Sequence, residues 1–470
     1  MTASSSKRER LPSPETPAEV GEHTQSKLIK VLAVEGLRNV FDPRKHLTER
    51  VLWVFLIGFA VYGAFFVGRS QWVRFQASPT VIQLDKNYRE WVGTMPAATV
   101  CFHNRFDLGR ARDYIVRNNL SLQTNQTHIN DLLELAEALV STTAPDFSAL
   151  TRFAHQRHLL DSVDILQLIG AAHPEYDTDV NSFDPEYNGL PIRQIITERG
   201  ICYALNAPLA STLQVTNLTG SSEKTVNQKS ATCAYTKNQC YMKIDTYEST
   251  ISFIIHSPTE LVTSDTPFTM MGTSEEVVVS YEVQETVASN RLRDLTVKQR
   301  NCIFNDERHH GLEFYSYNLC VMRCRAAKAL ELCHCKPHFY PFVDGPTCTV
   351  AGLLCLAEQP SGRWYDEKLS CRCLKPCTEI VYILVGTTQN QWRAEGGIPF
   401  KQRTSVRWEI LQPKTRLLRD VLFSFEDLLV SFGGGFALFI GKNVFTLAEL
   451  FDFMLHEVMD KIHRWFQTRA

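Results

Sequence analysis

All fourteen cysteines of this chain lie between two apolar segments, and no other feature constrains its folding more. The first segment runs Val51 to Gly68 and the second roughly Leu428 to Ala448, whereas no cysteine precedes Cys101 or follows Cys377. An even number of cysteines confined to one side of two apolar segments indicates disulfides formed in an oxidising compartment. The middle of the chain is therefore expected outside the cell and both termini in the cytoplasm, which gives a plasma-membrane protein with two spans and surrounding lipid as a partner.

Eighteen uncharged residues, VLWVFLIGFAVYGAFFVG, make up the first segment. At 1.5 Å per residue they cover about 27 Å, close to the hydrocarbon thickness of a bilayer. Polar residues precede the segment and no small-residue cleavage site follows, so it reads as a span and not a signal peptide. The second segment, LLVSFGGGFALFIGKNVFTLA, is glycine-rich and carries one charge, Lys442. An ionisable residue inside a span costs about 2.5–3.5 kcal/mol on insertion scales and faces a cavity or a partner. Glycines allow close backbone approach. Both features suit a pore-lining helix better than a lipid anchor.

The expected organisation is a cytoplasmic tail and pre-membrane segment over 1–50, a first span over 51–69 and an extracellular disulfide-rich domain over 70–420. A second span over 421–455 and a cytoplasmic tail over 456–470 complete it. The central block of about 350 residues is large enough to bury its own core. Three sequons fall inside it, at Asn119, Asn125 and Asn217. Strand-like runs (Ala97–Cys101, Ile251–Ile255, Glu276–Val283, Glu379–Val385) alternate with helix-like ones (Ile129–Leu139, Tyr317–Leu330), so the fold class is α+β. The net charge of −2 names no nucleic-acid partner.

Cysteine spacing proposes its own pairing. Cys320 and Cys324 are i, i+4 on a helical stretch, about 6 Å apart along the axis. Cys371 and Cys373 are i, i+2 and, if extended, share one face about 6.6 Å apart. The matching spacings allow a helix to be stapled to a strand by two rungs, Cys320 with Cys373 and Cys324 with Cys371. Nesting extends outward to Cys302 with Cys377 and inward to Cys333 with Cys355 and Cys335 with Cys348. The remainder form Cys233 with Cys240 and Cys101 with Cys202. The rival is a zinc site at Cys333-His334-Cys335 and Cys371-Arg372-Cys373, but a Cys-x-Cys pair chelates poorly. No metal or cofactor is expected; His309-His310 sits in a charged run and reads as exposed.

Several motifs together resemble the epithelial sodium channel/degenerin family, and within it the insect pickpocket branch. They are Met95-Pro96-Ala97-Ala98-Thr99-Val100-Cys101, Gly200-Ile201-Cys202-Tyr203 and Gln299-Arg300-Asn301-Cys302. Tyr315-Ser316 before Cys320, Cys371-Arg372-Cys373, Pro376-Cys377-Thr378-Glu379-Ile380 and Leu447-Ala448-Glu449-Leu450-Phe451-Asp452 complete the set. The resemblance implies a trimeric, sodium-preferring, amiloride-sensitive cation channel. It also implies a hand-like extracellular domain of palm, thumb and finger, with the cysteine ladder as thumb.

Two positions depart from the family pattern. Where the family filter is Gly-x-Ser with a small middle residue, this chain has Gly441, Lys442 and Asn443. Three lysines at one constriction repel sodium, as cationic rings suit anion pores. The second departure replaces a cytoplasmic His-Gly that assists gating by Glu35-Gly36. The two changes are opposite in charge at sites the family places in contact, so Glu35 is expected to neutralise Lys442. Val430 aligns near the position where bulky residues hold degenerin channels open. Glu449 and Asp452, at i, i+3, match acidic residues that concentrate cations at the cytoplasmic mouth. The leading expectation is a channel subunit gated through its extracellular domain in heterotrimers with other family subunits. The alternatives are a non-conducting or regulatory subunit and a two-span receptor without a pore. No nucleophile–base arrangement or phosphate loop suggests an enzyme, and no extracellular ligand is named by the residues.

Overall fold

The computed structural model describes residues 40, 44–118, 126–156, 164–213, 230–237, 239–247, 249–308, 314–360, 364–365, 371–391, 403–441, 455 and 458–459. The chain forms two compact units, one of Met1–Val81 with Val421–Ala470 and one of Ile82–Asp420.

In the first unit, α1 (Leu47–Ala77) is the one helix among the described residues that is long and apolar enough to cross a membrane. It continues past Arg69, where the uncharged run ends, because Arg69–Ala77 holds no residue that breaks a helix. It stops at Ser78 because Pro79 disfavours helical backbone in the residue before it.

In the second unit the strands follow one another as β1 (Thr80–Leu84), β2 (Val92–Thr94), β3 (Ala97–Phe102), β4 (Thr178–Ser182), β5 (Arg193–Thr197) and β6 (Gly200–Leu205). After them come β7 (Thr232–Ala234), β8 (Cys240–Tyr247), β9 (Ile251–His256), β10 (Thr269–Met271), β11 (Glu275–Ala288), β12 (Glu379–Gln391) and β13 (Arg403–Val421). One sheet has the order β12-β11-β13-β8-β4, with β1 also on β13; a second has the order β10-β9-β3-β6-β5; β2 and β7 form a ribbon. Only the β11–β13 pairing is parallel among those whose register is described. Strand β3 is buried along its whole length, because it is central to its sheet with both faces covered. Strand β12 is its opposite. It is an edge strand with one partner, and Val381, Ile383, Leu384 and Val385 are all exposed on it.

Helices α2 (Leu108–Arg117), α3 (Gln126–Ser141), α4 (Ile165–Ala172), α5 (Tyr317–Cys333) and α6 (Val350–Glu358) build the helical part of the same unit. Asp107 and Asp164 cap α2 and α4 by accepting the amides of Arg110 and Leu166, each at 2.9 Å. Phe147, Phe339 and Trp364 stack among the buried leucines and alanines of this core.

The segment of Cys371 and Cys373 departs from the extended-strand expectation, since 371–375 joins no ladder. Other contacts hold it. The Tyr315 hydroxyl donates to Leu374 O at 2.5 Å, and the Ile303 amide donates to Lys375 O at 3.2 Å.

Two histidines are sealed in this unit. Burial pushes the His338 imidazole down to about 3, and burial, with help from Arg105 and Arg110, pushes His173 down to about 4. Both folded-state values lie below the unfolded value of 6.5. Between the two, the unfolded chain binds protons that the folded chain refuses. Their contribution is full above pH 6.5 and is lost as pH falls toward 4. Thermal melting of the detergent-solubilised chain is therefore expected to shift downward between pH 7 and pH 4.5. A His173→Gln/His338→Gln variant should lose less of its melting temperature over that interval; an equal loss counts against the assignment.

Candidate functional site

Two helices carry the features described below, one in each compact unit. Helix α7 (Phe425–Ile440) begins at Ser424, whose hydroxyl accepts the Asp427 amide at 3.2 Å while Asp427 accepts the Ser424 amide at 2.9 Å. This reciprocal cap satisfies two donors that the first turn leaves unpaired. The helix ends at Gly441, which adopts φ 68° and donates its amide to Ala437 O at 3.1 Å. A left-handed residue there terminates the helix, and only glycine takes that backbone without strain.

One face of α7 meets α1. A Cβ added at Gly63 would lie 2.7 Å from the Phe439 ring, one at Gly68 would lie 3.4 Å from Phe432, and one at Gly435 would lie 3.8 Å from Val67. Phe432, Gly435 and Phe439 are spaced i, i+3, i+7, so they share that face. The opposite face is open: Val430 is 75% exposed, Leu438 is 79% exposed, and nothing lies within 4 Å of a Cβ at Gly434. Small residues on α1 thus admit the phenylalanines of α7. Gly63→Leu is expected to impair surface delivery and lower the melting temperature, whereas Gly58→Leu, where nothing lies within 4 Å, should leave both near the parent.

Of the expected pore and gating residues, the structure describes Val430, on the open face, and Gly441, at the helix end. Lys442, Asn443, Glu449, Asp452, Glu35 and Gly36 lie outside the described residues, as do Asn119, Asn125 and Asn217. His309 and His310 lie outside them as well.

The second helix is α5. Disulfides join Cys320 to Cys373 and Cys324 to Cys371 on it, with Cys302–Cys377, Cys333–Cys355 and Cys335–Cys348 around them. Cys101–Cys202 links β3 to β6, and Cys233–Cys240 links β7 to β8. The amino terminus of α5 is held by Glu260, which accepts the Ser316 hydroxyl at 2.9 Å and the amides of Tyr317 and Asn318 at 3.0 and 3.1 Å. A carboxylate there also complements the positive end of the helix dipole.

Midway along α5 sits a clamp that the sequence did not announce. Arg325, 2% exposed, donates to Glu198 Oε2 at 2.7 Å and Oε1 at 3.0 Å; the Glu198 side chain is 0% exposed. The same guanidinium bonds Asp265 and lies 3.8 Å from the centre of the Tyr365 ring. Tyr340 and Tyr365 donate their hydroxyls to Glu198 at 2.7 and 3.1 Å, and the Ser264 amide donates at 3.0 Å. Burial, and then the Glu198 carboxylate, hold both phenols above their ordinary range, so they remain donors. Glu198 lies in the two-residue turn between β5 and β6, where Thr197 pairs with Gly200 and Gly200 takes φ 90°. The clamp joins residues more than a hundred positions apart, and no periodicity or motif marks it.

Removing one partner of a buried ion pair costs about 3–5 kcal/mol, because the other is left uncompensated. Arg325→Met is expected to cost that much, seen as a large fall in melting temperature or retention inside the cell. Adding Glu198→Leu should recover a substantial part of the loss. No recovery in the double variant contradicts a pairwise clamp.

Compared with known proteins, residues 29–453 match the family described as amiloride-sensitive sodium channel. The chain is 21% identical to sodium channel protein Nach of Drosophila ananassae, over 89% of this chain and 84% of that one. It is 22% identical to pickpocket protein 19 of Drosophila melanogaster, over 91% and 89%. It is 23% identical to acid-sensing ion channel 2 of Homo sapiens, over 91% and 85%. These relatives are distant, yet the family match extends over most of the sequence. The chain belongs to the amiloride-sensitive sodium channel family, the epithelial sodium channel/degenerin family of ion channels, and is not an enzyme.

Proposed function

We propose that this chain is one subunit of a trimeric, amiloride-sensitive, sodium-preferring cation channel of the plasma membrane. It has two spans, α1 and a second containing α7, with both termini in the cytoplasm. The extracellular domain gates the pore, and the channel assembles with other subunits of the family. The two-faced packing of α7 carries this reading. One face is filled by α1, and the other, with Val430, Gly434 and the helix-ending Gly441, is open for an ion path shared with neighbouring subunits. The exposed apolar edge of β12 supports assembly, because an unpaired apolar edge invites a partner.

Lys442 sets the character of this subunit. Next to Gly441 it falls where the family places a small residue. A ring of three lysines opposes cation entry, so partners with the usual filter are needed for conduction. Glu35 is the counter-charge proposed for Lys442, and Glu449 with Asp452 the acidic pair at the cytoplasmic mouth. Lys442 also favours a second reading, a subunit of the same fold that regulates its partners without conducting.

Whole-cell current separates the two. Expressed alone, the parent should carry little amiloride-sensitive sodium current, and Lys442→Ser should carry at least tenfold more, since each ~1.4 kcal/mol removed from a barrier is tenfold in rate. A parent that conducts fully by itself contradicts the lysine ring. A silent Lys442→Ser at the cell surface, silent also with co-expressed family subunits, supports the regulatory reading.

A further inference from the structure

A buried ammonium without a carboxylate is the least expected group in the extracellular unit. Lys414 on β13 is 6% exposed. Its Nζ donates to Lys237 O at 2.9 Å, to Ala234 O at 3.1 Å and to Cys233 Sγ at 3.1 Å. Among the described residues no carboxylate pairs with it. Burying a cation against neutral acceptors alone costs free energy that a leucine or methionine in its place would avoid.

The position explains what Lys414 reaches. Strand β8 pairs with β13 from Tyr247 opposite Arg403 to Cys240 opposite Ile410, and there β8 begins. Beyond that point the Lys414 side chain takes over from the ladder and pins the loop closed by Cys233–Cys240 to β13. No other disulfide sulfur among the described residues has an ammonium within hydrogen-bond distance.

We propose that Cys233–Cys240 is a thiol–disulfide exchange site, the disulfide of this chain that a low-molecular-weight thiol opens first, and that Lys414 makes it so. The external thiolate attacks Cys240 Sγ. The Cys233–Cys240 bond breaks, and its electron pair leaves on Cys233 Sγ as a thiolate beside the Lys414 ammonium. A second external thiol then attacks the mixed disulfide and releases Cys240. Two external thiols are oxidised to one disulfide, and one cystine is reduced to two cysteines. A neighbouring ammonium lowers a thiol's pKa, and a lower leaving-group pKa speeds exchange and stabilises the reduced form. The thiolate is the counter-charge that Lys414 lacks in the oxidised chain.

Access needs a local opening, because Cys233 is 3% and Cys240 0% exposed. The β2–β7 ribbon that carries Cys233 is three residues a strand, the kind of short element that opens far below the cost of global unfolding. Reduction frees β7 from its covalent tie to β8, while the Cys233 thiolate stays beside Lys414 on β13.

The test is a dithiothreitol titration of the full chain in detergent micelles, with alkylation and mass spectrometry reading each cysteine. Cys233 and Cys240 should be alkylated at the lowest dithiothreitol concentration, before the other twelve. Lys414→Met should raise the concentration needed at this pair about tenfold, the effect of a one-unit change in thiol pKa. Cys101–Cys202 should not move, and Lys414→Arg should keep the parent behaviour. If the parent pair opens no earlier than the other six, the proposal is overturned without any variant. A folded Lys414→Met with an unmoved midpoint overturns the role of the lysine.

Discussion

The Glu198 carboxylate sits in the turn from β5 to β6 with no contact to water, and much of the second unit is arranged to satisfy it. Arg325 reaches it from α5, Tyr340 from the loop after α5, Tyr365 from beyond α6, and Ser264 from the loop before β10. Four stretches of chain therefore converge on one charge. A group of this kind adds little net stability compared with a well-packed apolar core, but any arrangement that leaves it unmatched is costly. It selects one packing of α5 against the β5–β6 hairpin and rejects near neighbours.

The disulfides act on the same helix in a different way. Two rungs leave α5 at Cys320 and Cys324, a third leaves its end at Cys333, and Ser316 with Glu260 fixes its start. Each crosslink contributes about 2–4 kcal/mol by restricting the unfolded chain, and less where loops are nested. The helix itself buries only Leu319, Met322, Arg325, Ala326 and Ala329, a narrow face with two alanines and a charge. Covalent rungs and a buried ion pair do for it what a broad apolar stripe does for α3.

Much of this was legible in the sequence where the signal is local. The strand-like runs Ile251–Ile255 and Glu276–Val283 mark β9 and β11, and the i, i+4 spacing of Cys320 and Cys324 places both sulfurs on one face of α5. The run Val51–Gly68 marks an apolar helix long enough to span, but hydropathy measures what a bilayer accepts and not where a helix stops, so the helical extension to Ala77 was not visible. The segment of Cys371 and Cys373 reads as extended from its spacing, but it has no strand partner, and spacing alone does not reveal that. Glu198, Asp265, Arg325 and Lys414 left no trace. A single charge in a sequence looks the same whether it ends in solvent or in a core, and its partner is set by tertiary structure.

The face of α7 that lies away from α1 is the point on which the channel reading turns. It can be examined without any current, because none of the described cysteines is free. Single cysteines at Val430, at Gly434 and at Phe439 would be labelled on intact cells with a membrane-impermeant, water-soluble thiol reagent and counted by mass shift. A water-filled path along that face requires labelling at Val430→Cys and Gly434→Cys and none at Phe439→Cys, which packs on α1. Labelling at Phe439→Cys with protection at Val430→Cys and Gly434→Cys would mean that the open face meets lipid or protein and that α7 does not line a pore.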